Sequence, residues 1–156
     1  MDKLVKLLAA DFPQFTFCKS DVLYWSPRTK EIFYKAGGER SGLLHELGHG
    51  LLGHQAFQTD FELMQMEVAA WQRARELCAT YDVPVNESYI QHCLDSYRDW
   101  LDRRSVCPTC SSHGLQSAQR LYMCANCQRS WHVSASVLCR PYRQSTQATK
   151  EKSPAV

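Results

Sequence analysis

The sequence predicts an α+β fold: a small antiparallel sheet, a helix carrying an HExxH pattern with two further helices, and a C-terminal ribbon built on four cysteines. Three observations carry that expectation. Aromatic and β-branched runs at 15–18, 22–25 and 31–34 flank a proline turn. Apolar residues recur at helical spacing between 41 and 103, and two Cys-x-x-Cys pairs follow at 107–110 and 124–127. A chain of 156 residues leaves room for one small domain with an appendage and excludes a TIM barrel or a two-lobed enzyme. Its 44% hydrophobic content is that of a globular protein.

Residues 3–10 have the apolar spacing of a short amphipathic helix. Phe15-Thr16-Phe17-Cys18 and Val22-Leu23-Tyr24-Trp25 read as strands, and the turn Ser26-Pro27-Arg28-Thr29-Lys30 leads to a third, Glu31-Ile32-Phe33-Tyr34. Gly37-Gly38 breaks the strand, and a helix follows from about Ser41 to His54 with Leu43, Leu44, Leu47, Leu51 and Leu52 as its apolar residues. A second long helix covers 61–80 and stops before Pro84, which lacks an amide donor. Asn86 is an N-cap candidate for a third, reaching about Arg103. Domains are expected at 1–104 and 105–140, with a basic, polar and disordered tail at 141–156.

The longest uncharged apolar run near the N-terminus is Leu7–Ala10, far short of a signal-peptide core, and no stretch is long enough to span a membrane. A cytoplasmic location is expected, where paired cysteines mean metal more often than disulfides. The net charge of +2 conceals an asymmetry. Residues 1–104 hold 12 basic and 15 acidic residues, a balance of −3, whereas 105–156 hold 6 and 1, a balance of +5. The two parts present different fields to their surroundings.

His45-Glu46-Leu47-Gly48-His49 puts two imidazoles on one helix face, where they can share a zinc ion. Glu46 is placed to take a proton from water and pass it to a leaving amine. A catalytic zinc needs a third protein ligand. The longer HExxHxxGxxH pattern is excluded, because Leu52 and Gln55 stand where its glycine and histidine belong and His54 comes one residue too early. Glu62, Glu67 and Glu76 remain on the next helix. Glu67 is preferred, since the alanines beside it let two helices approach; Glu62 is the alternative. Tyr24, Tyr34, Arg40 and His92 are all open as oxyanion donors.

Ser41-Gly-Leu-Leu-His45-Glu-Leu-Gly-His49-Gly-Leu-Leu-Gly-His54, followed by Glu67-Val-Ala-Ala-Trp71-Gln-Arg-Ala74, resembles the ImmA/IrrE family of compact gluzincin metallopeptidases. The resemblance covers about residues 16–80. It implies His45, His49 and Glu67 as zinc ligands and Glu46 as general base. It also implies cleavage of a companion transcriptional repressor, a helix-turn-helix protein, in stress or anti-phage responses, as in CBASS-associated repressor proteases that respond to DNA damage. This chain is short for the family and has a cysteine-rich segment in place of the usual downstream region.

Cys107-Pro108-Thr109-Cys110 and Cys124-Ala125-Asn126-Cys127 lie 13 residues apart and form the ligand set of a closed structural zinc ribbon. Such a small segment depends on its metal for stability. Arg120, Arg129, Arg140 and Arg143 interleave with Tyr122, Trp131 and Tyr142. That mixture suits single-stranded DNA; equally, the aromatics pack the ribbon core and the arginines are solvated. Among the other cysteines, Cys78 and Cys93 read as core thiols. Cys18 and Cys139 are buried thiols by default, or else a cysteine switch occupying the open metal position. The leading expectation is an intracellular zinc endopeptidase acting on a regulatory protein. A SprT-like DNA-dependent protease is disfavoured by the missing third histidine, and a non-catalytic nucleic-acid-binding regulator by the intact Glu46.

Overall fold

The computed structural model describes residues 1–134 and 143–145. In chain order the elements are α1 (Asp2–Asp11), β1 (Thr16–Lys19), β2 (Tyr24–Ser26), β3 (Glu31–Tyr34), α2 (Arg40–Leu51), α3 (Asp60–Thr80) and α4 (Glu87–Ser105). The C-terminal strands are β4 (Gly114–Ala118), β5 (Leu121–Cys124), β6 (Ser130–Val133) and β7 (Arg143–Ser145). This is the expected α+β class. Among the described residues no helix is long and apolar enough to cross a membrane.

Two compact units emerge. The first comprises Met1–Phe57 with Phe61–Leu94; the second comprises Gln58–Asp60 with the described residues from Asp95 onward. The division falls within α4, and Arg104 belongs to the second unit's interior. Its guanidinium is buried over the Trp100 ring at 3.9 Å and 3.3 Å from Asp60, while its carbonyl accepts the Trp131 indole N–H at 3.0 Å.

In the first unit the strands run in the order β1-β3-β2. The β2–β3 hairpin is antiparallel, with Trp25 opposite Ile32. Strand β1 instead runs parallel to β3, Phe17 opposite Ile32, so the sheet is antiparallel only in part. Trp25 and Ile32 point into the core, and α2 packs on β2 and β3. Leu43, Leu44 and Leu47 are fully buried there, each contributing up to about 1.5–3 kcal/mol from the area removed from water. Leu4 and Leu8 of α1 join the same core, as do Leu77 and Ile90 of α3 and α4. The expected Asn86 cap is present, its Oδ1 accepting the Tyr89 amide at 3.0 Å.

Helix α2 ends at Leu51, three residues before the expected His54. Gly53 adopts φ +66, its amide donates to the Gly50 carbonyl, and the His54 amide donates to the His49 carbonyl at 3.0 Å. These two bonds form a Schellman termination, in which the residue after the left-handed glycine turns back against the helix. Gly53 makes it possible by taking a backbone conformation that side chains disfavour.

The second unit holds the sheet β4-β5-β6-β7 over a small core of Cys107, Tyr122, Cys124, Trp131 and Val133. Tyr122 and Trp131 face each other across β5 and β6 with their rings stacked, centroids 5.7 Å apart. Arg143–Ser145, expected within the disordered tail, pair with β6 as β7, and Arg143 donates to the Val106 carbonyl at 2.7 Å. Backbone pairing to β6 holds these polar residues where side-chain composition alone predicts none.

Candidate metal centres

Helices α2 and α3 build the first centre. Both histidines lie on one face of α2, one turn apart, and the buried stripe of α3 runs Leu63, Glu67, Ala70, Trp71, Ala74. A carboxylate in the middle of an apolar stripe requires a polar partner. Here it meets the two imidazoles. His45 Nε2 lies 3.1 Å from His49 Nε2 and 3.2 Å from Glu67, and His49 Nε2 lies 3.6 Å from the other Glu67 oxygen. All three side chains are buried. Glu62, the alternative ligand, is not part of this group, and Glu76 is exposed beside Arg73.

The donor set fits zinc. Bonds of about 2.0–2.1 Å in tetrahedral geometry put ligand atoms about 3.3–3.4 Å apart, close to the His45–His49 and His45–Glu67 separations. Glu67 Oε2 is buried without a hydrogen bond of good geometry, although His45 Nε2 is nearby. Three protein ligands leave a fourth position open, as catalytic zinc sites do.

Both imidazoles are braced. Trp71, one turn after Glu67, stacks on His45 with centroids 4.1 Å apart and planes at 22°. His54 meets His49 from behind, their Nδ1 atoms 2.8 Å apart. Burial lowers His45 against the opposing pull of Glu67. Burial pushes Glu67 upward, but the two imidazoles beside it outweigh that and bring it down to about 2. Burial raises Glu46 to about 7, with His49 pulling it down and the Trp25 amide donating to its carboxylate. A dication in the triad would draw Glu46 further toward its ionised form.

Close approach of α2 and α3 is what brings Glu67 within reach. A Cβ on Gly48 would sit 2.8 Å from the Ala70 carbonyl oxygen, a backbone atom that cannot step aside. Gly48→Ala should therefore force the helices apart and destabilise the protein by about 1–3 kcal/mol, even though alanine favours helices. Denaturant unfolding checks this against Gly37→Ala, since Gly37 has nothing within 4 Å of its Cβ position. A Gly48→Ala protein as stable as wild type would show that this contact does not set the helix spacing.

The other nominated groups lie elsewhere. Tyr24 is exposed on β2 and stacked on Phe33, Tyr34 is half-buried at the end of β3, and Arg40 and His92 are exposed. None of these four is assigned as an oxyanion donor. The Cys18 thiol lies 3.8 Å from Glu31, which together with burial raises it, and it is not among the triad's neighbours. The sheet register that pairs Cys18 with Phe33 fixes it there and argues against Cys18 as a switch. Cys139 and Arg140 lie outside the described residues. Cys78 is buried as expected, whereas Cys93 is half-buried and hydrogen-bonds to Tyr89.

The second centre consists of two matching knuckles. In each, the amide four residues after the first cysteine returns to that cysteine's carbonyl: Ser111 to Cys107 at 3.0 Å, and Gln128 to Cys124 at 2.9 Å. The first cysteine's own amide bonds the carbonyl one residue further on, Ser112 in one and Arg129 in the other. Ser111 and Gln128 both take positive φ at this turn, 61° and 59°. The knuckles bring Cys107 Sγ to 3.6 Å from Cys127 Sγ and Cys110 Sγ to 3.5 Å from Cys124 Sγ. Tetrahedral zinc–sulfur bonds of about 2.3 Å require sulfurs about 3.75 Å apart, and disulfides require about 2.05 Å. Cys110 is lowered to about 6, chiefly by the Ser112 amide. The Arg129 amide would lower Cys127, but desolvation and the neighbouring sulfurs push it up to about 12. Without a cation at the centre, ionising one thiol opposes ionising the next. The set fits a closed four-thiolate zinc site.

Trp131 is fully buried, and Tyr122 is buried beside it. Neither offers a face for a nucleic-acid base, which corrects the nomination of Trp131 as a contact. The inward positions of β5 and β6 claim both rings for the ribbon core. Arg120 and Arg129 are exposed in the turns on either side of β5, and Arg143 is exposed on β7.

The sequence nominated His45, Glu46, His49 and the preferred Glu67, and the structure brings the three ligands together. Sequence reasoning assigned no role to His54, Trp25 or Trp71 at the centre. A polar residue behind a Gly at the end of the HExxH helix was the available signal for His54. Comparison with known proteins yields no match: no family model fits the chain, and neither a curated protein nor a solved structure matches it.

Proposed function

We propose that the chain is a zinc-dependent endopeptidase that cleaves a companion regulatory protein, a helix-turn-helix repressor in the manner of the ImmA/IrrE-like peptidases it resembles. The clustering of His45, His49 and Glu67 ligand atoms within 4.8 Å of one another, with Glu46 on the same helix as the two histidines, carries this reading. Zinc bound there supplies Lewis-acid polarisation of an amide carbonyl and acidifies water. Glu46, partly accessible to solvent, takes the proton from the attacking water and delivers it to the departing amine nitrogen. The His45 and His49 rings stay neutral to ligate, and Glu67 stays ionised.

Single-stranded DNA loses its stacking platform with Trp131 and Tyr122 buried. Arg120 and Arg129 remain as phosphate-type contacts only, and the peptidase reading does not depend on them.

Co-expression with a neighbouring helix-turn-helix protein tests the proposal. A zinc-loaded wild-type chain should yield a discrete truncated companion, and a chelator should prevent it. A fully loaded chain that leaves the companion and general unfolded peptidase substrates intact would overturn the reading.

A further inference from the structure

His54 is too early in the sequence to be a third metal ligand, yet it is held firmly against one. The Schellman turn at the end of α2 makes Gly53 the left-handed residue, so His54 packs back against His49 in the last turn of the helix. That contact is commonly apolar; here two imidazoles meet, their Nδ1 atoms 2.8 Å apart and their planes at 70°. The Trp25 indole donates to the His54 carbonyl at 3.0 Å and pins the turn to strand β2. By contrast, His45 Nδ1 is buried without a hydrogen-bond partner, and that ring is placed by stacking on Trp71.

We infer that His54 is a positioning residue for metal binding: it accepts a hydrogen bond from His49 Nδ1–H and so fixes the tautomer that presents His49 Nε2 to the ion. This rests on the metal reading proposed above and adds a role for a residue outside the ligand set. His49 Nε2 faces His45 Nε2 and Glu67, so to ligate an ion there it offers a lone pair, which puts its proton on Nδ1. His54 Nδ1 must then be the acceptor, with its own proton on Nε2. Metal-ligating histidines generally use such a partner at the far nitrogen, and losing one typically costs about 10–100-fold in metal affinity or activity. The Trp25 link ties this support to the same strand whose amide holds Glu46.

The test uses the full chain and cobalt(II) alone, since the thiolate site and the His/His/Glu site absorb differently. Chelator competition then reads the affinity of the His/His/Glu site. His54→Phe should bind cobalt there about 10–100-fold more weakly than wild type, with an altered d–d spectrum. His54→Asn, whose Oδ1 can take the place of Nδ1 as acceptor, should bind close to wild type. Wild-type affinity in His54→Phe would overturn the role, as would an equal loss in both variants. If the Phe variant does not fold, His54→Asp decides: a carboxylate acceptor must hold cobalt at least as tightly as wild type, and weaker binding refutes the role. A wild-type chain that binds cobalt only at the thiolates would instead overturn the metal reading itself.

Discussion

Glu46→Gln is expected to lower kcat by about 10²–10⁴ while leaving the zinc content unchanged, the range general acid–base groups contribute. The amide side chain has nearly the same shape and can still accept the Trp25 amide, but it cannot take up a proton. The substitution therefore separates proton transfer from metal binding, because Glu46 is not among the converging ligands. Stability supplies a second readout. Burial raises the Glu46 carboxyl from its ordinary 4.5 to about 7, so the fold favours its protonated form. That contribution is fully present below pH 4.5 and is lost as the pH rises through about 7. The metal-free wild type should thus lose stability across this window relative to Glu46→Gln, with the variant the more stable at neutral pH. Single-turnover cleavage, metal analysis and denaturant unfolding measure the three quantities. Undiminished cleavage by Glu46→Gln would remove this carboxylate from the mechanism.

The parts of the centre legible in the sequence are those fixed by one helix. His45, Glu46 and His49 lie within one short helical stretch, and the two imidazoles share a face because four residues make about one turn, whatever packs around them. Glu67 was legible at one remove: its neighbouring alanines allow close packing, and Gly48 against Ala70 is where that packing occurs. His54 was not, since the leucines run up to Leu52 and their spacing gives no sign of the turn at Gly53. Helical spacing shows which side of a helix is apolar, and the end depends on a single backbone angle. The direction of β1 was hidden for a related reason. Residues Thr16–Lys19 present the same side chains to β3 whether they run parallel or antiparallel, and the choice is made by the path through β2. In the ribbon, residues 130–133 alternate outward and inward, and that period-two pattern places Trp131 in the core. Basic residues around it drew attention to a surface role that its position in the strand precludes.

Cys124→Ser is expected to abolish the ordered sheet of the ribbon, with amide protection of Leu121–Cys124 and Ser130–Val133 falling to that of an unfolded segment. The cause is the composition of its core. Two of the five buried side chains, Cys107 and Cys124, are candidate metal ligands, leaving Tyr122, Trp131 and Val133 as the apolar contribution. Three such side chains cannot offset the ordering of four strands and two knuckles. Structural zinc in comparable four-ligand modules contributes about 10–16 kcal/mol of binding free energy, which appears as folding free energy. The knuckles also lose internal bonds: Cys124 Sγ accepts the Cys127 amide at 3.5 Å and faces Cys110 Sγ. Serine is smaller and binds zinc poorly at neutral pH, so it restores neither contact. Hydrogen exchange by mass spectrometry resolves the effect by segment. The α2 and α3 segments around His45 and Glu67 should keep their protection, because their core of Leu43, Leu44, Leu47 and Trp71 contains no ribbon residue. Wild-type protection in β5 and β6 of Cys124→Ser would mean that the ribbon folds on its apolar contacts and that its four cysteines are not a structural metal site.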